Sequence, residues 1–420
     1  MNILFLSHRT PFPPNKGDKI RSFHLIEYLA HRHKIYLVTH LQDETEAVGI
    51  ERMQNLCAEV HAIRVNQKLG FLRGIRRVKP FTVAFFYHPV IQERVDDILE
   101  NKQIDAIICF CSGMAEYILQ SLWYRHGRMK NILTIMDFVD LDSDKWRQYA
   151  QYTHSPIKLI YLLENKLLFN YEKKINAIFD HSIFVSDREI RRFVQLYPQA
   201  RSVKVIPNGV DCNYFTPDYG QNSKKGASVK RIFFNEFKKI HKPTYPILVF
   251  TGVMDYFANE DGVIWFSRQI FPLIKKEIPE IQFYVVGSKP TDRIWSLSEI
   301  DGITVTGYVE DIRPFYWFAD ICVVPLRIAR GLQNKVLEAM AAGKAVVATS
   351  NAADGILCNS GIDLEIADGE HNFARAVTAL IHDENRSKEM GKNAINNVCL
   401  NYSWDRNLKL FDEILQEVPE

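Results

Sequence analysis

The chain has 420 residues, too many for one typical hydrophobic core, so two α/β domains are expected. Its 52 Lys and Arg offset 50 Asp and Glu, a balance that argues against a nucleic-acid binder led by bulk charge. Seven Cys are scattered without paired CxxC sets, and no apolar run approaches the ~20 residues of a membrane span, so no disulfide framework, zinc site or transmembrane helix is expected.

Met1 to Ser7 reads at once as a buried strand, with no leader before it, and a cytoplasmic protein is expected. A Pro-rich loop, His8-Arg-Thr-Pro-Phe-Pro-Pro-Asn-Lys-Gly17, then enters a helix with Phe23, Ile26, Leu29 and Ala30 on one face. A rigid loop over the end of the first strand is where open α/β sheets place ligands. Further strands are expected at Ile35 to Thr39 and near Cys57 to Val65. Residues 68–87 are basic and aromatic together, a composition that suits either a membrane surface or an ordinary helix and loop. Ala106 to Phe110 is a strand, with Cys109 and Cys111 as core filling.

Ile132 to Met136 is another strand and leads into Asp137-Phe-Val-Asp-Leu-Asp-Ser-Asp-Lys-Trp. Asp140, Asp142 and Asp144 invite a metal-binding DxD reading, against which stands capping of the helix that follows. Asp137 differs, because it ends a buried strand at a ligand-binding edge. A long helix from about Pro156 to Phe179 is expected to turn Glu164, Lys166, Glu172 and Lys173 outward. Ser182 to Ser186 is a strand, and Val203-Lys-Val-Ile-Pro-Asn-Gly-Val-Asp-Cys-Asn-Tyr-Phe-Thr-Pro217 closes the half through an Asn208-Gly209 turn. Asp218 to Tyr245 is polar and Lys-rich, which marks a linker or insertion.

The second half alternates strands and helices from Pro246, which predicts a parallel sheet with ligands at its carboxyl edge. Strands are expected at Ile247 to Gly252, Gln282 to Gly287 and Ile303 to Gly307, and helices at Val263 to Ile274 and Asp311 to Ala319. A nucleotide base would lie near Ser288, Lys289 and the turn Gly307, Tyr308 and Val309, although Lys289 could equally be a solvated surface cation. The central stretch follows the apolar strand Asp320-Ile-Cys-Val-Val-Pro-Leu. It runs Arg330-Gly-Leu-Gln-Asn-Lys-Val-Leu-Glu-Ala-Met-Ala-Ala-Gly-Lys-Ala-Val-Val-Ala-Thr-Ser350. A tight turn at Gly331, a helix from Leu332 to Ala342 and a stop at Gly343 would aim N–H groups and a positive dipole end at an anion. Glu338 would face the same crevice. Trp404 reads as a packing anchor before a last helix through Leu415.

This stretch resembles the donor-nucleotide signature of the family 4 retaining glycosyltransferases. The string from Val203 to Pro217 resembles their interdomain junction, and the likeness covers nearly the whole chain. Asp137-Phe-Val-Asp and Gly331-Leu-Gln-Asn-Lys-Val-Leu-Glu338 resemble in particular the sugar transferases of exopolysaccharide and protein-sorting systems. The resemblance implies the GT-B fold: two Rossmann-like, doubly wound parallel-sheet domains facing a cleft, with the C-terminal helix crossing back to the first. It sets an acceptor-side domain at 1–210 with helix 401–416, a linker at 211–245 and a donor domain at 246–400.

By the same resemblance Gly17, Asp18 and Arg21 approach the donor phosphate and the acceptor. The His that family members carry near the strand end is missing, so Asp137 or Asp140 would replace it. The Arg and Lys usual after the first strand of the second domain are missing too, from the loop that starts at Gly252. Arg330 and Lys335 are then the cations for the diphosphate, helped by Asn259 and by the Gly331 and Leu332 N–H groups. Glu338 would accept from the ribose diol. The implied reaction moves a sugar, with retention, from a UDP- or GDP-sugar to a lipid-linked or saccharide hydroxyl. It needs no metal and no cofactor beyond the co-substrate, and the enzyme could sit on the inner face of the membrane. A nucleotide-sugar 2-epimerase and a non-catalytic sugar-nucleotide binder remain open, whereas a nicotinamide dehydrogenase is disfavoured for want of GxGxxG.

Overall fold

The computed structural model describes residues 1–41, 46–64, 79–151, 153–217, 245–329 and 331–417, without the Val48 side chain. Met1–Asn208 and Asp405–Glu420 form one compact unit, and Gly209–Trp404 form another.

The first unit holds a seven-stranded parallel sheet of β1 (Asn2–Ser7), β2 (Lys34–Leu41), β3 (Glu59–Arg64), β4 (Ala106–Phe110), β5 (Leu133–Val139), β6 (His181–Phe184) and β7 (Val203–Val205). Their order is β3-β2-β1-β4-β5-β6-β7, so the winding reverses between β1 and β4. Runs such as Ile3 to Leu6 and Ala106 to Phe110 are buried without alternation, as covering both sheet faces with helices requires. The C-terminal helix Trp404–Leu415 and the residues after it belong largely to this unit. Asp412 accepts from the Tyr28 hydroxyl at 2.6 Å, and Lys204 pairs with Glu417 at 2.6 Å.

The long helix spans Ile157–Ile178, but two of its carboxylates do not point outward as the sequence suggested. Glu164 and Glu172 are buried, each at the start of another helix. Glu164 accepts from the Phe81 and Thr82 amides at 2.7 and 2.8 Å, at the head of the helix Phe81–Phe86. Glu172 accepts from the Ser143 amide at 3.0 Å in the helix Asp142–Gln151. Helix starts leave N–H donors and a partial positive charge, and a buried carboxylate satisfies both.

The second unit holds a six-stranded parallel sheet of β8 (Ile247–Thr251), β9 (Gln282–Val286), β10 (Ile303–Gly307), β11 (Ile321–Val324), β12 (Ala345–Ala348) and β13 (Glu365–Ile366). The order β10-β9-β8-β11-β12-β13 reverses between β8 and β11. The first helix of this unit's sheet begins earlier than expected, at Phe257, and continues through a π turn at Phe266–Ile270 to Glu277. Contrary to the expectation of no disulfide, Cys212 and Cys399 are bonded, across 187 residues of sequence. The Trp404 ring is buried against Gly209, where an added Cβ would lie 2.5 Å from it.

Candidate functional site

In an open α/β sheet the crevice at the winding reversal collects ligands. In the first unit that crevice opens beyond β1 and β4, at His8 and Cys111. Cys109 is in the core as expected, and Cys111 packs against that core half-buried just past β4, with φ 71°, a conformation rarely taken by a residue with a side chain. His8 Nε2 lies 3.1 Å from Asp18, which also pairs with Arg9 at 3.3 Å and accepts from the Lys19 amide at 2.9 Å. Burial works against the His8 imidazolium, yet Cys111 and Asp18 raise its pKa to about 10. Burial likewise opposes the Asp18 charge, but His8 and Arg9 hold the carboxyl well below its usual range. Gly17 is exposed at the first position of the helix Gly17–Ala30.

Arg21 and Asp137 are not cleft residues. Both are 0% exposed, and Arg21 grips Asp137 through Nε at 2.8 Å and Nη2 at 3.2 Å. Its remaining nitrogen donates to the Ile206 carbonyl at 2.9 Å and Asn208 Oδ1 at 3.1 Å. Burial raises the Asp137 pKa, and the guanidinium opposes that rise. The strand that carries Asp137 turns this side chain into the protein, where Arg21 consumes it. Asp140, one turn later, is half-buried at the strand's end. Asp142 and Asp144 occupy the first turn of the helix Asp142–Gln151, and Asp144 is held by Arg147 at 2.5 Å and Arg192 at 3.3 Å. Burial opposes the charge on Lys145, but Asp142, Asp140 and Asp18 raise its pKa.

The second unit's crevice lies beyond β8 and β11. Gly252 follows β8, and a Cβ there would meet Asn259 Nδ2 at 2.8 Å and Lys335 Nζ at 3.2 Å, so a side chain at this position would press on both. Asn259 donates to the Val253 carbonyl at 2.8 Å and accepts from Lys335 Nζ at 2.5 Å. The Lys335 ammonium also sits 4.6 Å from the centre of the Phe250 ring. Burial draws the Lys335 pKa down to about 7, with Glu338 pulling the other way. Glu338 Oε2 accepts from the Tyr316 hydroxyl at 2.9 Å, and that hydroxyl lies 2.7 Å from Thr251 Oγ1. Burial raises the Glu338 pKa, while Tyr316 and Lys335 lower it. Lys335, Asn259, Glu338, Tyr316 and Thr251 therefore form one polar cluster at the sheet's carboxyl edge.

Tyr316 and Thr251 were not expected from the sequence. Tyr316 sits in the six-residue helix Arg313–Phe318, too short for periodicity to show which side chain turns inward. The helix that carries Lys335 and Glu338 spans Asn334–Ala341, two residues later than expected. Gln333 precedes it with extended backbone, and its carbonyl accepts from Val336 at 2.9 Å. The Gly331 and Leu332 N–H groups thus belong to the loop before the helix, and Gly331, where a tight turn was expected, takes a positive φ of 58°. Gly343 ends the helix at φ 70°, as read from the sequence. Arg330 lies outside the described residues.

The neighbouring strand ends carry the remaining candidates. The Ser288 carbonyl accepts from Met254 at 2.8 Å, tying the loops after β8 and β9. Lys289, at φ 55°, makes a long 3.7 Å pair with Asp255. After β10, Tyr308 is 73% exposed and Val309 half-buried. Of the basic stretch 68–87, residues 68–78 lie outside the described residues.

Comparison with known proteins bears on both units. The family described as "Glycosyltransferase Family 4" matches residues 20–214, and that described as "Glycosyl transferases group 1" matches residues 245–383. An uncharacterized 44.6 kDa protein of the Klebsiella pneumoniae cps region is 24% identical over 99% of this chain and 99% of its own. A GDP-mannose-dependent monoacylated alpha-(1-6)-phosphatidylinositol monomannoside mannosyltransferase of Corynebacterium glutamicum is 24% identical over 59% of this chain and 65% of its own. The crystal structure of Anabaena HepE in complex with UDP-glucose superposes with a TM-score of 0.68, at 16% identity, covering 99% of each chain. The fold of this chain is that same GT-B fold.

Proposed function

Because the chain belongs to the family 4 glycosyltransferases, we propose that it moves a hexose from a nucleotide-diphosphate sugar to a hydroxyl, with retention at the anomeric carbon. The observation that carries this reading is the cluster of Lys335, Glu338, Asn259 and Tyr316 at the winding reversal of the second sheet. The step that limits such a transfer is separation of a developing oxocarbenium from a leaving diphosphate. Lys335 is half-buried and charged only in part near neutrality, so an arriving diphosphate gives its ammonium a partner and is stabilised in return. Arg330 is the second cation for that charge by its place in the sequence. No metal is then needed, and turnover should survive chelation of divalent ions.

Glu338 accepts from the two ribose hydroxyls, with Tyr316 fixing its carboxylate. Tyr308 and Val309 flank the base, beside Ser288 and Lys289. Gly17 approaches the donor phosphate, Asp18 serves the acceptor side, and Asp140 takes the place of the family's His against the donor sugar. The acceptor is a saccharide or lipid-linked hydroxyl, in exopolysaccharide or glycolipid synthesis. Its supports are the cps-region relative and the relative that acts on a phosphatidylinositol mannoside. A lipid-linked acceptor would place the enzyme on the inner face of the membrane.

The test is thermal-shift screening with UDP- and GDP-sugars on the wild type and Glu338→Ala. Stabilisation of the wild type alone is expected. Equal stabilisation of both proteins removes Glu338 from the donor site. Donor binding without turnover on any acceptor identifies a binding module instead.

A further inference from the structure

The first two turns of the helix Ile157–Ile178 expose five aliphatic side chains: Ile157, Leu159, Ile160, Leu162 and Leu163 are 41–64% exposed. A single exposed Leu is unremarkable, but five within seven residues form a contiguous apolar surface, which marks a site of contact. The helix already has an inward stripe. Tyr161 packs on Trp146 and Tyr149 with ring centres at 5.3 and 6.1 Å, and Glu164, Leu168, Glu172 and Ile175 are buried below it. The five aliphatics are therefore additional to what folding consumes.

Charge says what covers them. Both carboxylates of this helix are buried as caps of other helices, whereas Lys158, Lys166 and Lys174 are exposed. Between Asp144 and Glu164 the sequence has no acid at all; Arg147 there is paired with Asp144 and Lys145 faces Asp142, which leaves His154 and Lys158 as its exposed basic side chains. The helix Phe81–Phe86, which Glu164 ties to this one, adds an exposed Phe85. An apolar surface whose own helix exposes Lys158 and Lys166 and no carboxylate suits the boundary of an anionic bilayer, where aliphatics enter the acyl region and Lys stays among phosphates. Among the described residues no helix is long and apolar enough to cross a membrane, so contact here is with the surface of the bilayer.

We propose that the N-terminal half of this helix, centred on Leu159, Ile160 and Leu163, docks the protein onto an anionic lipid bilayer. The proposal deepens the reading of a lipid-linked acceptor and rests on that reading only for its purpose, since the surface itself is independent of donor binding.

The test is flotation of the full chain with vesicles of phosphatidylcholine alone or mixed with phosphatidylglycerol. Two variants accompany the wild type: Leu159→Ser with Ile160→Ser and Leu163→Ser, and Lys158→Glu with Lys166→Glu. The wild type is expected to float with the anionic vesicles and about tenfold less with neutral ones. Each variant is expected to lose about tenfold or more of that binding, while its Tm and its thermal response to nucleotide sugars stay at the wild-type level. The side chains are exposed, so folding is spared, and the charge-reversal pair tests the surface without altering an apolar residue. A wild type that stays below the vesicles overturns the proposal. So does sedimentation that shows a wild-type dimer broken by the triple Ser variant, which would assign the patch to a second copy. Failure of the nucleotide response with flotation intact would instead count against the donor reading alone.

Discussion

Two couples of cation and carboxylate stand near the carboxyl ends of central strands, one in each unit, and they differ in what they leave unsatisfied. Arg21 and Asp137 are sealed from solvent and saturated: the guanidinium grips the carboxylate and hands its spare donors to Ile206 and Asn208. Lys335 and Glu338 are half-buried and supported by neutral partners, Asn259 on one side and Tyr316 on the other. A sealed and fully paired couple serves the fold, because nothing remains to meet a ligand. A couple held apart, with its charges shifted toward neutrality by burial, is completed by whatever binds.

The sharpest way to break this contrast is Asp137→Ala. It strands a buried guanidinium, and removing one partner of a buried pair costs about 3–5 kcal/mol. Melting should fall by about 6–20 °C, at roughly 2–4 °C per kcal/mol for a domain of this size. Loss of transfer with an unchanged melt would move Asp137 back into the site. Next in size is Glu338→Ala, expected to weaken donor binding by about 1.5–3 kcal/mol, the worth of hydrogen bonds to a charged group, with little change in the melt of the free protein. Titration calorimetry checks the first part and a melt the second.

Lys335→Met sharpens the comparison through pH. The folded pKa of about 7 lies below the ordinary 10.5, so between those values the unfolded chain holds a proton that the folded chain lacks. Wild-type stability should therefore rise with pH across that window. The variant should lack this rise, melting above wild type at pH 6 and level with it above pH 10.5, which melts across that pH range check. Donor affinity of the wild type should fall as pH rises above 7, because the diphosphate prefers the ammonium form. A donor affinity flat across this range would remove Lys335 from the diphosphate. The smallest effect is expected of Tyr308→Ala, about 1 kcal/mol or fivefold in nucleotide affinity, the low end for stacking of a base on an aromatic ring.

What the sequence disclosed follows from the range of each signal. Gly343 as a helix stop, the apolar strands and the stretch around Glu338 were readable because turn chemistry and hydrophobic period act within a few residues. Glu164 and Glu172 were misplaced because helical period marks a carboxylate as outward, and only a partner dozens of residues away turns it in: Phe81 for one, Ser143 for the other. Asp137 was recognised as special, but its partner Arg21 is 116 residues distant, so sealed pair and open site looked alike. The disulfide of Cys212 and Cys399 escaped for the same reason, with 187 residues between two unremarkable Cys. Tyr316 gave no signal, since a short helix carries too few positions for a period.

That bond also closes a circuit. The chain enters the second unit through Gly209 to Phe215 and leaves it near Trp404, and Val210 pairs with Ser403 while its amide donates to Tyr402 at 2.7 Å. Entry and exit are thus fastened side by side, by backbone and by sulfur. Topologically the half that carries Lys335 and Glu338 is a cassette set into its host, with a seam where it could be lifted out or its ends rejoined in a new order.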